Sequence, residues 1–227
     1  RELLWWWNQT LPEYEVMYQP DAGAYNAANW DLDVRDGIRN VRHRAVANEA
    51  EVPLSATTYY FKDIQDLIAD TFTLFAERAM TEVIDPFSEQ AFAALQQFDA
   101  DMLKDPASRQ QLIDMLTEMT ISFINNEVTD ERDHLIAEQA FLHEAVLDER
   151  LKELARTYQD KQLQVLRQAC EQLHTPDPEH DAELVMATFY YIESQLLAYP
   201  ESLDEDALRG KVRHVLSLLV GGGASDG

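Results

Sequence analysis

From Asp63 to Leu219 the apolar residues recur every three or four positions, and no window shows the alternation of a half-buried strand. A chain patterned this way buries stripes along helices, so an all-α fold is expected. Ile64, Leu67, Ile68, Phe72, Phe75 and Ala79 make the first long stripe, with Asp63 placed to cap it. Further helices are expected over 86–103, 106–126, 129–146, 148–174, 179–198 and 204–220. Pro86, Pro106 and Pro178 stand at or near helix starts, where a missing N–H costs nothing, and Gly221 ends the last helix. Of the 7 glycines only Gly37 and Gly210 lie between Gly23 and Gly221, too few for a turn-rich β architecture.

At 227 residues the chain suits one large domain, or a small one joined to a larger. The single cysteine, Cys170, permits no internal disulfide, as expected inside a cell, and reads as a helix-face filler rather than a nucleophile. No run of 18 apolar residues occurs, and no basic stretch followed by an apolar one opens the sequence. A cytoplasmic protein without membrane association is expected. The first 20 residues carry Trp5, Trp6 and Trp7 but no clear period, and are set apart as an N-terminal arm.

A net charge of -24 argues at first against a nucleic-acid partner, because phosphate binding is driven by lysine and arginine displacing counterions. Distribution matters more than the sum. Arg35, Arg39, Arg42, Arg44 and Lys62 face only Asp36, Glu49 and Glu51 over residues 35–62, a basic island on an acidic chain.

Within that island two short helices are expected, 41–50 and 54–60, joined by Glu51-Val52-Pro53, with Pro53 in the first turn of the second. A helix-turn-helix holds its second helix in the major groove while the first braces it, which requires a small residue where the two cross and apolar plugs around the turn. Ala47 supplies the first, Val46 and Val52 the second, and Phe61 closes the unit. Ser55, Thr57, Thr58, Tyr59 and Tyr60 offer hydroxyls, flanked by Arg42, Arg44 and Lys62. Leu54, Ser55 and Thr58 are expected to face the groove, and Tyr59, Tyr60 and Lys62 to hold phosphates. His43 and Arg44 lie near the start of the bracing helix, whose N-terminus favours a phosphate.

The run from Gly37 to Phe61, with Ala-Val-Ala-Asn-Glu-Ala before the turn, Val-Pro-Leu after it and Thr-Thr-Tyr-Tyr-Phe leading into the next helix, resembles the DNA-binding head of the tetracycline-repressor (TetR) family. Glu51 stands where that family usually has a turn glycine, and Asn26, Asn29 and Asp33 stand where its first helix is apolar. The resemblance covers about residues 24–80 and implies a three-helix head over 21–66. It also implies a ligand-binding and dimerisation body over 67–227, a homodimer on a palindromic double-stranded operator, and a small-molecule effector. On this reading the protein is a transcriptional regulator, a repressor released by its effector, with neither cofactor nor enzymatic activity.

The family's pairing of C-terminal helices points to Leu184, Ala187, Thr188, Tyr191 and Gln195 as one dimer stripe, and to Leu208, Val212, Val215, Leu216 and Leu219 as another. The alternative for both stripes is ordinary intrachain core. Phe92, Phe98, Met102, Met115, Met119, Phe123 and Phe141 are candidates to line an effector cavity, or to fill ordinary core. His134 and Glu138 stand four apart with His143 further on, but no third ligand has convincing metal spacing, and a solvated helix face is the expected reading. The alternative function is a helical ligand-binding or protein-interaction module of the same fold with little or no DNA binding.

Overall fold

A computed structural model of the chain describes residues 38, 41–50, 53–99, 101–129, 132–200 and 204–222. The arm 1–20, the first-helix positions Asn26, Asn29 and Asp33, Gly37, and the turn residues Glu51 and Val52 lie outside these. All regular structure among the described residues is helical. In chain order the helices are α1 His43–Glu49, α2 Leu54–Tyr60, α3 Ile64–Arg78, a π-helical segment Ala79–Ile84, α4 Asp85–Leu95, a short 3-10 turn Met102–Lys104, α5 Pro106–Thr129, α6 Arg132–Glu144, α7 Glu149–Gln172, α8 Pro178–Ala198 and α9 Glu205–Gly222. Among the described residues no helix is long and apolar enough to cross a membrane.

The chain divides into two units. The first gathers the described residues up to Glu77 together with Ile136–Arg156. Residues 67–77 and 136–156, expected in the body, thus pack in the same unit as the short helix pair. Val41, Val46, Phe61 and Leu67 form one buried cluster there, with Ala45, Ala50, Tyr60 and Ile64 against it. A second focus is aromatic: Phe141 of α6 lies 4.9 Å from Phe72 and 5.7 Å from Phe75 between ring centroids, and all three are fully buried. Phe141 is therefore core of this unit rather than the lining of an effector cavity, because α6 turns that face onto α3. Asp63 caps α3 as expected, its Oδ1 accepting from the Asp66 N–H at 2.9 Å.

The second unit holds Arg78–Leu135 and the described residues from Thr157 onward. Pro86 was expected to open a new helix after a break, yet the chain stays helical from Ile64 to Leu95. The wider π turns just before it relieve the clash between a proline ring and the carbonyl four residues back. The helix expected to reach 103 stops at Leu95, and Met102, offered as cavity lining, is exposed. Pro178 does open α8, behind Asp177, whose side chain accepts from the His180 N–H. At the end of α7, His174 adopts φ 53, with the Thr175 N–H returning to the Cys170 carbonyl, a helix stop that usually employs glycine.

Leu95, Leu112, Ile113, Leu116, Leu173 and Val220 make one buried cluster, bordered by Phe92, Phe98, Met115 and Met119. Ile121, Ile124, Ile192, Leu196, Leu208 and Val212 make another. Arg209 joins Glu118 at 2.8 Å and Arg213 joins Asp114 at 2.8 Å, so α9 runs antiparallel along α5. Leu208, Val212 and Leu219, expected on a dimer face, are buried within their own chain. Cys170 is buried, and burial, followed by the charges of Asp181 and Glu171, pushes its thiol up to about 11, which keeps it protonated and unreactive at neutral pH.

Candidate nucleic-acid interface

The short pair α1 and α2 is held by what lies between them. Val46 and Ala47 are buried on α1, and Phe61, just past α2, is buried as well. Pro53 precedes α2 at φ -62 and ψ 140 instead of lying in its first turn, an extended residue that directs the chain into the helix. Alanine at position 47 leaves room for the two helices to approach, as the sequence pattern required.

The second helix then sorts its residues by face. Leu54, Ser55, Thr58 and Tyr59 are exposed, Tyr59 to 80%. Thr57, expected to point outward with them, is fully buried at 0% exposure and donates its hydroxyl to the Leu54 carbonyl at 2.8 Å. The reason is geometric: at 100° per residue, Thr57 falls on the face that turns toward α1. Tyr60 is half-buried against the Val46–Phe61 cluster, and Tyr59 meets its ring edge-on at 5.0 Å.

The cations lie around this helix rather than on it. Arg42, Arg44 and Lys62 are exposed, Arg42 donating to the Val41 carbonyl at 2.6 Å. His43 is half-buried, with its Nδ1 shut off from solvent and without a hydrogen-bond partner among the described residues. The structure thus brings Leu54, Ser55, Thr58 and Tyr59 to one exposed face, with exposed Arg42 and Arg44 before this helix in the chain and exposed Lys62 after it. It removes Thr57 from the set.

Sequence reasoning missed the support behind α2. Arg150, one residue into α7, donates to Asp66 at 2.7 Å and to Asp63 at 3.3 Å, bracing the start of α3 directly after α2. Nothing in spacing alone pairs positions 84 residues apart. In the second unit a small cleft of about 40 Å³, partly open to solvent, lies among α5, α8 and α9, walled by Ile124, Phe189, Ile192, Val212 and Leu216 with Thr188 on α8. On α8 the exposed apolar side chains are Leu184 and Tyr191, the latter beneath the Lys211 ammonium at 5.9 Å from its ring centroid. His134 is largely buried, and that burial, then the nearby Arg78 charge, holds its imidazole down to about 4. No group of three or more metal-ligating side chains occurs among the described residues.

The described residues thus form an all-helical chain in which a pair of short helices precedes the longer ones. Residues 107–222 match the family model described as the tetracyclin repressor-like C-terminal domain. The chain belongs to the tetracycline-repressor family. No curated protein matches its sequence. Among solved structures it is similar to a transcriptional regulator from Rhodococcus sp. Rha1, with a TM-score of 0.62 and 16% identity, covering 91% of this chain and 99% of that one. A TetR-family member from Streptomyces coelicolor A3 matches with a TM-score of 0.58 and 20% identity, over 86% and 98% of the two chains. The multidrug binding protein EbrR complexed with ethidium matches equally, with a TM-score of 0.58, 20% identity and the same coverage.

Proposed function

We propose that the protein is a homodimeric repressor that binds a palindromic DNA operator through two helix-turn-helix heads and releases it when a small organic effector occupies the second unit. The observation that carries this reading is the face of α2: Leu54, Ser55, Thr58 and Tyr59 are exposed together, while Ala47 and Val46 are buried behind them and Arg42, Arg44 and Lys62 flank them. An uncharged, hydroxyl-bearing helix edged by cations suits base edges at its centre and phosphates at its borders.

Two-fold pairing follows from need, since one seven-residue helix reads too few base pairs for useful specificity. Leu184 and Tyr191 on α8 and Leu218 on α9 are exposed apolar side chains suited to an isologous face. A body that holds a small molecule agrees with the ethidium complex of EbrR, which shares the fold. The effector acts by preferring a conformation in which the two heads no longer fit both half-sites.

The test is selection from random duplex DNA by the full-length protein at two salt concentrations, beside a Tyr59→Ala, Tyr60→Ala double variant. Enrichment of a palindrome that weakens with salt and vanishes in a folded variant supports the proposal. A folded dimer that enriches no sequence at either salt refutes it and leaves a ligand-binding or interaction module of the same fold.

A further inference from the structure

The second helix of the pair, Leu54–Tyr60, reads Leu-Ser-Ala-Thr-Thr-Tyr-Tyr and contains no lysine, arginine, asparagine, glutamine or carboxylate. Those are the side chains that make paired hydrogen bonds to guanine and adenine or accept from cytosine. What the helix does present is apolar surface and a few hydroxyls. Leu54 is exposed to 41% at its first position. Thr58 is exposed one turn later, and its Oγ1 donates to the Ser55 carbonyl at 3.2 Å. With that proton turned into its own helix, Thr58 offers a methyl group and an oxygen that accepts. Thr57 takes no part, being buried with its hydroxyl on the Leu54 carbonyl.

The major groove carries one apolar feature, the C5 methyl of thymine. Resting on the DNA-binding reading above, we infer that this helix selects its half-site by thymine methyls packed against Leu54 and Thr58, and not by paired hydrogen bonds to purines. Ser55 and Tyr59 supply the remaining hydroxyl contacts, and the cations Arg42, Arg44 and Lys62, all outside the helix, hold the phosphates. The resulting target is a half-site with at least one obligatory 5-methyl pyrimidine in the stretch under α2. Cytosine at that position lacks the methyl, and 5-methylcytosine restores it.

The experiment takes the sequence enriched by the full-length protein and replaces its thymines one at a time by uracil, which keeps the base pair and removes only the methyl. Replacement at one or two positions in each half-site weakens binding about fourfold per methyl, the factor that burying one methyl-sized group supplies. A Leu54→Ala, Thr58→Ser variant, which keeps the Thr58 hydroxyl and alters only exposed side chains, loses that sensitivity while still retaining the palindrome's other preferences. An enriched site indifferent to uracil at every position overturns the inference and leaves DNA binding intact. So does a uracil effect that persists undiminished in the folded variant, since the methyl is then read elsewhere. Failure to enrich any sequence is a different result, the failure of the DNA-binding reading itself.

Discussion

The guanidinium of Arg150 donates to Asp66 at 2.7 Å and reaches Asp63 at 3.3 Å, so the first turn of α7 is tied to the first turn of α3, the helix that follows α2 in the chain. Arg150 and its two partners are each exposed by a third or more, which limits the worth of the ion pairs. Arg150→Ala is expected to cost under about 1 kcal/mol. Asp63→Ala should cost more, because Asp63 also caps α3 through the Asp66 N–H. That N–H, helped by Arg150, holds the Asp63 carboxyl below its usual range. The stabilisation is present above the unfolded carboxylate value and is lost as pH falls through the lower folded value. Thermal melts of both variants check the order, and a larger loss in Arg150→Ala than in Asp63→Ala contradicts it.

Phe141 tests where α6 belongs. Its ring is fully buried against Phe72 and Phe75, and truncation leaves a cavity in the aromatic centre of the first unit. Phe141→Ala should destabilise the protein by about 3–5 kcal/mol in denaturant titration. A loss under about 1 kcal/mol is the outcome for a residue on the wall of an open cavity, and would show that the ring is not packed as described.

Thr57 and Thr58 are neighbours with opposite surroundings, and substitution separates them. Thr57→Val keeps the shape of a buried side chain whose hydroxyl serves only the carbonyl of its own helix, so stability should change by less than about 1 kcal/mol and DNA affinity not at all. Thr58→Val leaves stability unchanged too, being exposed. A loss of DNA binding in a folded Thr57→Val protein would return Thr57 to the interface.

How far the sequence disclosed this arrangement depends on what each residue needs. Ala47, Val46, Phe61 and the cap at Asp63 were legible because crossing helices and helix starts demand particular residue types at particular offsets. The exposed apolar face of α8 was legible from Leu184 and Tyr191. The stripe Leu208, Val212 and Leu219 was equally visible, but a period shows that a face is buried and not which neighbour buries it; here the neighbours belong to the same chain. Phe141 was open between cavity lining and core for the same reason, and the fold makes it core. Pro86 suits a helix start but does not begin one after a break, because a π segment ahead of it carries the helix through. The Arg150 brace depends on the fold alone.

His134 gives the chain a pH dependence of its own. Burial, then the Arg78 charge, lowers its imidazole to about 4 in the folded state, against about 6.5 unfolded. Folding is therefore unpenalised above the unfolded value and becomes less favourable as pH falls from there to about 4, by up to about 3 kcal/mol. His134→Gln should flatten that part of the stability profile relative to the parent. An imidazole titration midpoint near 6.5 by NMR in the folded protein would remove the basis for it.

The proposed division between a helix that reads bases and cations that hold phosphates makes a quantitative prediction about salt. Arg44 precedes α2 in the chain and Lys62 follows it, both exposed, and the two heads of the proposed dimer would present four such cations. Each phosphate neutralised on duplex DNA contributes about -0.9 to the slope of log K against log salt, so these four account for a slope of roughly -3.6. An Arg44→Ala, Lys62→Ala variant should bind more weakly on every sequence and lose about that much of the slope, while its preferred site stays the same. Leu54→Ala should do the reverse, keeping the slope and relaxing the site. If Arg44→Ala, Lys62→Ala changes the preferred bases and leaves the slope intact, those cations read sequence, and the assignment of roles between α2 and its borders is inverted.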